Sequence, residues 1–286
     1  MKFAQFDPRP RGAEANEKIF AEGPVFGVEV TIPALATRCI ANLDHHGPTD
    51  TSETPSACEQ ALVCDLPPIE TTFATVRPDA DSITAMAVIS NRLTNMPVDG
   101  ELVRAIGSFD RTGRASARHS DIIAALARVA TDFKRPLVER IKWIANVLVG
   151  KIDQDEVARL VAERDAEFAA AKAASEAKLT ANGRIAVVVS THRFATGLGY
   201  DMASVVVAMN PAMVAEQKDI GKTTYVKYTV CRYDSHVPVD LPAALKELQT
   251  LESGWGGSAN ICGSPQGVSS NLTLDQVVKI VEKHLK

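Results

Sequence analysis

Apolar residues along the first half of the chain fall into short runs that stop abruptly at polar or acidic residues. The clearest is Cys39 to Leu43, which ends at Asp44-His45-His46 and turns at Gly47-Pro48. A buried strand that delivers polar side chains to its own carboxyl end has this pattern. Thr71 to Val76 is a second such run, ending in Arg77-Pro78-Asp79-Ala80-Asp81-Ser82. Val25 to Ile32 alternates as a strand does, and Lys2 to Phe6 reads as a short edge strand ending at Asp7. Val103 to Ile106, followed by Gly107 to Gly113, reads as a strand and a polar turn, with a third acidic strand end at Asp110. Between these runs the apolar period changes. Ser56 is placed to cap a helix through Ala57, Cys58, Ala61 and Leu62. Ile83, Met86, Ala87, Ile89 and Leu93 fall at helical spacing after Asp81 or Ser82. Ser120 to Thr131 and Pro136 to Val149 are further helices. Strands alternating with helices predict an α/β domain with a mostly parallel sheet over residues 1–150.

The pattern then changes. Asp155 to Leu179 is rich in Ala, Glu, Lys and Arg, lacks Gly and Pro, and is followed by Asn182-Gly183. It predicts one long polar helix, making residues 151–182 a connector. Strands at Arg184 to Val189, Met202 to Ala208 and Thr223 to Cys231, with helices at Leu241 to Leu251 and Leu274 to Leu285, predict a smaller α+β domain over 183–286. That span leaves few residues for a second large sheet.

Composition narrows the function classes. At 286 residues, 45% apolar and 23% charged, the chain has room for two domains, each with its own core. A net charge of -4 lacks the basic face that long duplex nucleic acid requires, but permits a small nucleotide. Cys39, Cys58, Cys64, Cys231 and Cys262 are odd in number and contain no Cys-X-X-Cys pair, which fits reduced thiols. No apolar run approaches the ~20 residues needed to cross a bilayer. With no secretory pattern among the first residues, the expectation is a cytoplasmic protein with no membrane partner.

Asp79 and Asp81, two apart between a strand and a helix, have the spacing to grip one metal bidentately or two adjacent ions. His45 is a candidate neutral imidazole ligand, and His46 a phosphate contact or general acid. Turn chemistry and helix capping account for either aspartate alone. The joint occurrence of three acidic or imidazole-bearing segments is what favours a metal-holding crevice.

These residues resemble a known family. Asp44-His45-His46 resembles the motif that names the DHH phosphoesterase superfamily, and Arg77-Pro78-Asp79-Ala80-Asp81-Ser82 resembles its first acidic motif. Ser108 to Gly113 is similar to its later Asp-bearing turn. In the second half, Tyr228-Thr229-Val230-Cys231-Arg232 resembles the basic strand of the associated DHHA1 domain, and Trp255-Gly256-Gly257-Ser258 its glycine-rich substrate loop. The resemblance implies a manganese-dependent phosphoesterase. His45, Asp79, Asp81 and Asp110 would be metal ligands. His46 would contact the scissile phosphate, and Asp44 would support the site, as a metal ligand or by holding one. Arg232, Gly256 and Gly257 would hold a substrate phosphate. His236, close to Arg232, is a further candidate substrate contact. The implied substrates are small phosphorylated compounds, such as nucleotides or short single-stranded oligonucleotides, and a homodimer is compatible with the pattern. The motif order is rearranged, since the acidic motif follows Asp-His-His here. Thr75 stands where the family has a ligand histidine, and Ser258 where a histidine is common. The upstream acidic ligand has three candidates, Asp7, Glu22 and Glu29.

Thr75 and Ser258 also suit a different class of protein, a non-catalytic nucleotide-binding or regulatory protein with a degenerate metal site. Trp255 reads as a core residue or as a platform for a base. His119 reads as a surface or capping residue, and His192 and Arg193 as turn or cleft residues.

Overall fold

The computed structural model describes residues 1–46, 53–113, 117–217, 221–233 and 236–286. Two compact units divide them, one formed by Met1–His46 with Glu53–Arg164, the other by Asp165–Lys286. The stretch from Gly47 to Ser52, including the turn expected at Gly47-Pro48, lies outside the described residues.

In the first unit, β1 (Lys2–Gln5) and α1 (Ala13–Ala21) precede β2 (Val25–Val28), a short α2 (Pro33–Ala36) and β3 (Ala41–Leu43). Then follow α3 (Ala57–Ala61), β4 (Thr72–Thr75), α4 (Ala80–Leu93), α5 (Gly100–Thr112), α6 (Ser120–Ala130) and α7 (Leu137–Leu148). The four strands form a wholly parallel sheet in the order β1-β4-β2-β3, so the α/β expectation holds. Alternate strand residues feed opposite faces. Phe73, Phe26 and Val28 join a core with Ile83, Met86, Ile106, Ile141 and Ile144, while Ala74, Val25, Val30 and Phe6 pack against Ile19 and Phe20. The helix α4 is buried on nearly every side from Ala80 to Ile89, as a central helix must be.

Because β2, β3 and β4 run parallel as neighbours, their carboxyl ends share one edge of the sheet. Phe26 pairs with both Ala41 and Phe73, so Glu29, Asp44 and Asp79 each follow a strand end on that edge. Segments distant along the chain are thus adjacent in space.

Asp110 arrives differently from the expectation. Val103 to Ile106 is not a strand but part of α5, and Asp110 lies in that helix's last turn, before Gly113 ends it with φ 68°. The buried stripe Leu102, Val103, Ile106, Gly107 has helical spacing, and Asp110 continues it.

In the run that enters the second unit at Asp165, the helix expected to reach Leu179 breaks early. The helix α8 (Gln154–Ala173) stops, and β5 (Glu176–Thr180) pairs antiparallel with β6 (Ile185–Val189). Ala181 and Asn182, with φ 52° and 56°, make the hairpin turn that the sequence pattern suggests as a helix stop. Edge pairing to a β-branched strand overrides the helical propensity of Glu176 to Leu179. The chain continues through α9 (Ala195–Tyr200), β7 (Val205–Gln217), β8 (Gly221–Arg232), α10 (Leu241–Leu251), β9 (Gly256–Gly257), β10 (Ile261–Gly263) and α11 (Leu274–Lys283). Contrary to expectation, the unit holds a large sheet, ordered β5-β6-β7-β8-β10-β9 among the described residues. Long hairpins build sheet with few connecting residues, and β6-β7 is its parallel pair. On one face α10 and α11 cover Val187, Val207, Tyr228 and Val230. On the other, Ala186, Val188 and Val206 meet Leu198 of α9 and Ala171 of α8. All five thiols are free. Among the described residues no helix is long and apolar enough to cross a membrane.

Candidate metal centre

At the carboxyl edge of the parallel sheet, Glu29, His45, Asp81 and Asp110 each offer a ligand atom, all within 4.8 Å of one another. Glu29, His45 and His46 form an overlapping group under the same limit. His45 Nε2 is 3.1 Å from Asp110 Oδ2, 3.4 Å from Glu29 Oε1 and 3.8 Å from Asp81 Oδ2. His46 Nδ1 lies 2.9 Å from Asp44 Oδ1 and 3.5 Å from Glu29 Oε1. The two imidazole rings are 4.5 Å apart.

Glu29 settles which upstream acid reaches this group. It leaves β2 in a left-handed conformation, φ 52°, and is 4% exposed. Its Oε1 is buried and meets no donor in hydrogen-bonding geometry among the described residues. Burial pushes its carboxyl well above the usual range, helped by the charges of Asp79, Asp81 and Asp110 and opposed by His45. Asp7 is instead engaged by Arg9, which holds its carboxyl down at about 2, and Glu22 pairs with Lys2 at the surface.

Asp81 is fully buried, and burial followed by the Asp110 charge raises its pKa. Its oxygens accept the backbone N–H groups of Ala57, at 2.7 Å, and Cys58, at 2.8 Å. Asp79 sits beside the group but outside both four-residue and three-residue sets. Its Oδ1 accepts from the backbone N–H and the hydroxyl of Ser82, capping α4. Thr75, at the end of β4, is buried.

For Asp44, burial raises the pKa, but the hydrogen bonds from His46 outweigh it and the net shift is downward. His46 is shifted upward, chiefly by that bond to Asp44. Its ring is half exposed, whereas the His45 side chain is 5% exposed. The inner imidazole thus sits among carboxylates, and the outer one faces solvent with one nitrogen anchored.

In the second unit a cavity of about 370 Å³ is lined by Gly254, Gly256, Gly257, Gly263, Lys227, Thr229 and Ser264. The Lys227 ammonium donates to the Ser264 carbonyl, and burial lowers its pKa. Gly256 and Gly257 therefore line a cavity together with a lysine. Sequence reasoning missed Lys227, although its alternation with Thr229 along β8 is a readable signal.

Arg232 does not line that cavity. Its Nε donates to Asn260 Oδ1 at 3.0 Å and its Nη1 to the carbonyls of Val237, at 3.3 Å, and Val239, at 3.0 Å. His236 is exposed in the turn beyond it. Trp255 is 3% exposed, stacked with Tyr228 and bonded to Glu252, so the core reading of this residue holds. His119 occupies the N-cap position of α6 without a side-chain cap bond, and Arg193 pairs with Glu167.

No protein-family model and no curated protein matches the chain. Among solved structures, it is similar to an exopolyphosphatase-related protein from Bacteroides fragilis, at 13% identity and a TM-score of 0.40, over 97% of this chain and 77% of that one.

Proposed function

We propose that the first unit holds one or two divalent cations, manganese the favoured metal, and that the protein is a phosphoesterase. Its substrates are small phosphorylated compounds such as nucleotides or short single-stranded oligonucleotides. One observation carries the reading. Three carboxylates, two of them buried, converge on a buried imidazole, and Glu29 Oε1 has no hydrogen-bond donor there. Buried carboxylates that close together are costly unless a cation compensates them. A set of carboxylate oxygens with one or two imidazole nitrogens suits manganese-like ions.

A bound divalent ion would supply charge neutralisation at a phosphoryl oxygen and acidify a water molecule. The chain's own residues do the rest. His45, Glu29, Asp81 and Asp110 hold the cation, with Asp79 alongside. Asp44 orients His46 through Nδ1, leaving the other ring nitrogen to contact the phosphate or deliver a proton to the leaving oxygen. In the second unit, Gly256, Gly257 and Lys227 bind a substrate phosphate. Arg232 buttresses the strand that carries Lys227, and His236 is an outer contact.

The test is hydrolysis of an aryl phosphodiester and of short oligonucleotides with added Mn²⁺. His46→Ala is expected to lose about 100-fold or more. Full activity in His45→Ala or Asp81→Ala would sink the reading. Thr75 and the capping role of Asp79 favour a second reading, a nucleotide-binding regulatory protein. Tight nucleotide binding without turnover in any divalent metal would select it.

A further inference from the structure

Asp81 belongs to α4, but its carboxylate is fixed from elsewhere. Both its oxygens rest on the first backbone N–H groups of α3, those of Ala57 and Cys58. A five-residue helix has too little cooperativity to hold its own orientation, so something outside α3 must set where those N–H groups point.

That something is visible. The Ser56 N–H donates to Glu59 Oε2 at 2.9 Å, closing the start of α3. Glu59 is in turn ion-paired with Arg111, the side chains being 16% and 12% exposed. Arg111 lies on α5 next to Asp110. One turn earlier on α5, Gly107 has no Cβ. A Cβ there would stand 2.5 Å from Ser56 Oγ and 2.6 Å from Glu59 Oε2, so the start of α3 lies directly against the α5 backbone.

Asp81 and Asp110 approach the same nitrogen of His45 from two helices. The connection between those helices runs from Asp81 to the Ala57 and Cys58 amides, through α3 to Glu59, and across the ion pair to Arg111. We propose that Glu59 and Arg111 are a positioning pair that sets the separation of Asp81 and Asp110 and, through it, the affinity of this group for a divalent cation. The inference rests on the metal-holding role proposed above. A nearly buried ion pair adds little net stability compared with apolar contact, but its geometry is specific, which is what a spacing device requires. Groups that orient ligands from outside the coordination set typically alter affinity by about 10- to 100-fold.

Two variants of the full chain separate positioning from simple stapling. Glu59→Gln keeps an acceptor for the Ser56 N–H, so α3 stays capped while the charge that Glu59 sets against Arg111 is removed. Arg111→Lys keeps the charge and loses the fork. Mn²⁺ affinity is read from the free-ion electron paramagnetic resonance signal, and stability from thermal melting of metal-free protein. The expected result is a dissociation constant raised about 10-fold or more in both variants. Metal-free melting should stay within about 3 °C of wild type. Glu101→Gln, which breaks an exposed pair between α5 and Arg118, should change neither. Unchanged Mn²⁺ affinity in both variants overturns the proposal, and so does failure of both to fold without metal, because either makes the pair a staple. Absence of Mn²⁺ binding by the wild-type chain overturns the metal-holding role itself and is seen before any variant is made.

Discussion

The side-chain amide of Asn42 brackets the backbone of Val30, its Oδ1 accepting the Val30 N–H at 3.1 Å and its Nδ2 donating to the Val30 carbonyl at 3.3 Å. Asn42 is on β3, and Val30 follows Glu29 at the end of β2. Gly27 makes room for the bracket, since a Cβ there would lie 2.5 Å from Asn42 Oδ1. The Glu29 N–H also donates to the Leu43 carbonyl at 2.8 Å. A non-glycine residue at φ 52° is held by such surroundings rather than by its own preference. Asn42→Ala should therefore cost about 1–3 kcal/mol, as buried backbone groups lose partners. It should also weaken Mn²⁺ binding, although Asn42 is in neither ligand group. Denaturant unfolding and metal titration of one preparation check both halves, and an unaltered metal affinity would show that Glu29 keeps its pose unaided.

Glu29 and Asp81 are both buried acids with raised pKa values, yet they should respond oppositely to amide replacement. Glu29 Oε1 meets no donor in hydrogen-bonding geometry among the described residues and burial already disfavours the charged carboxylate, so Glu29→Gln puts a neutral group where a charge is costly. Metal-free Glu29→Gln is expected to melt at or above the wild-type temperature while losing Mn²⁺ affinity. Asp81→Asn turns an amide N–H₂ toward a backbone donor at Ala57 or Cys58, and should cost about 1–3 kcal/mol. Calorimetric melting of the two metal-free proteins decides it. Equal destabilisation would mean that Glu29 is as well satisfied as Asp81.

The residues that carry this contrast were unequally legible in the sequence. Asp44-His45-His46 was readable, because a short apolar run that stops abruptly on polar residues marks a strand end. The strand itself, Ala41–Leu43, is shorter than the run and lies part-exposed at the sheet edge rather than buried. Glu29 was one of three upstream acids, and only the parallel register of β2 with β3 selects it. Asp110 was readable as a residue but not as part of a helix. Gly107 resembles a turn residue along the chain, whereas its cause is contact with Ser56 and Glu59 of another helix. The same limit hid β5. Asn182-Gly183 suits a helix stop and a hairpin alike, and the choice is made by β6, which lies after it. Local pattern was enough for the ends of β3 and β4 and for the helices α4, α6 and α7, while pairing and close approach were tertiary facts.

Arg232 offers a separation of structure from binding. Its guanidinium serves Asn260, Val237 and Val239, tying β8 to the segment before α10. Arg232→Lys cannot reproduce that fork and should lower stability by about 1–3 kcal/mol. Lys227→Met should instead weaken binding of inorganic phosphate or a nucleotide, since Lys227 lines the glycine cavity, with a stability loss confined to the donor it gives the Ser264 carbonyl. Melting curves and calorimetric titrations of the two variants are the check. A stable Arg232→Lys that loses ligand affinity would return Arg232 to the phosphate-binding role.

The adjacent glycines of the same cavity should behave differently. Gly257 has φ 149°, and a Cβ there would meet the Ile261 carbonyl oxygen at 2.2 Å and Cys262 Cα at 2.5 Å. Both obstacles are backbone, and Cys262 is the residue that pairs with Gly257 between β9 and β10. Gly257→Ala must therefore part those strands, at a cost of about 2 kcal/mol or more. At Gly256 a Cβ meets nothing within 4 Å, so Gly256→Ala should melt like the wild type. On the proposed phosphate role, the added methyl would crowd a cavity wall where backbone N–H groups need close approach. Phosphate affinity should fall in Gly256→Ala without a change in melting. Undiminished affinity in that variant would mean that the cavity does not take an anion at this point, and that the glycines serve only the tight pairing of β9 with β10.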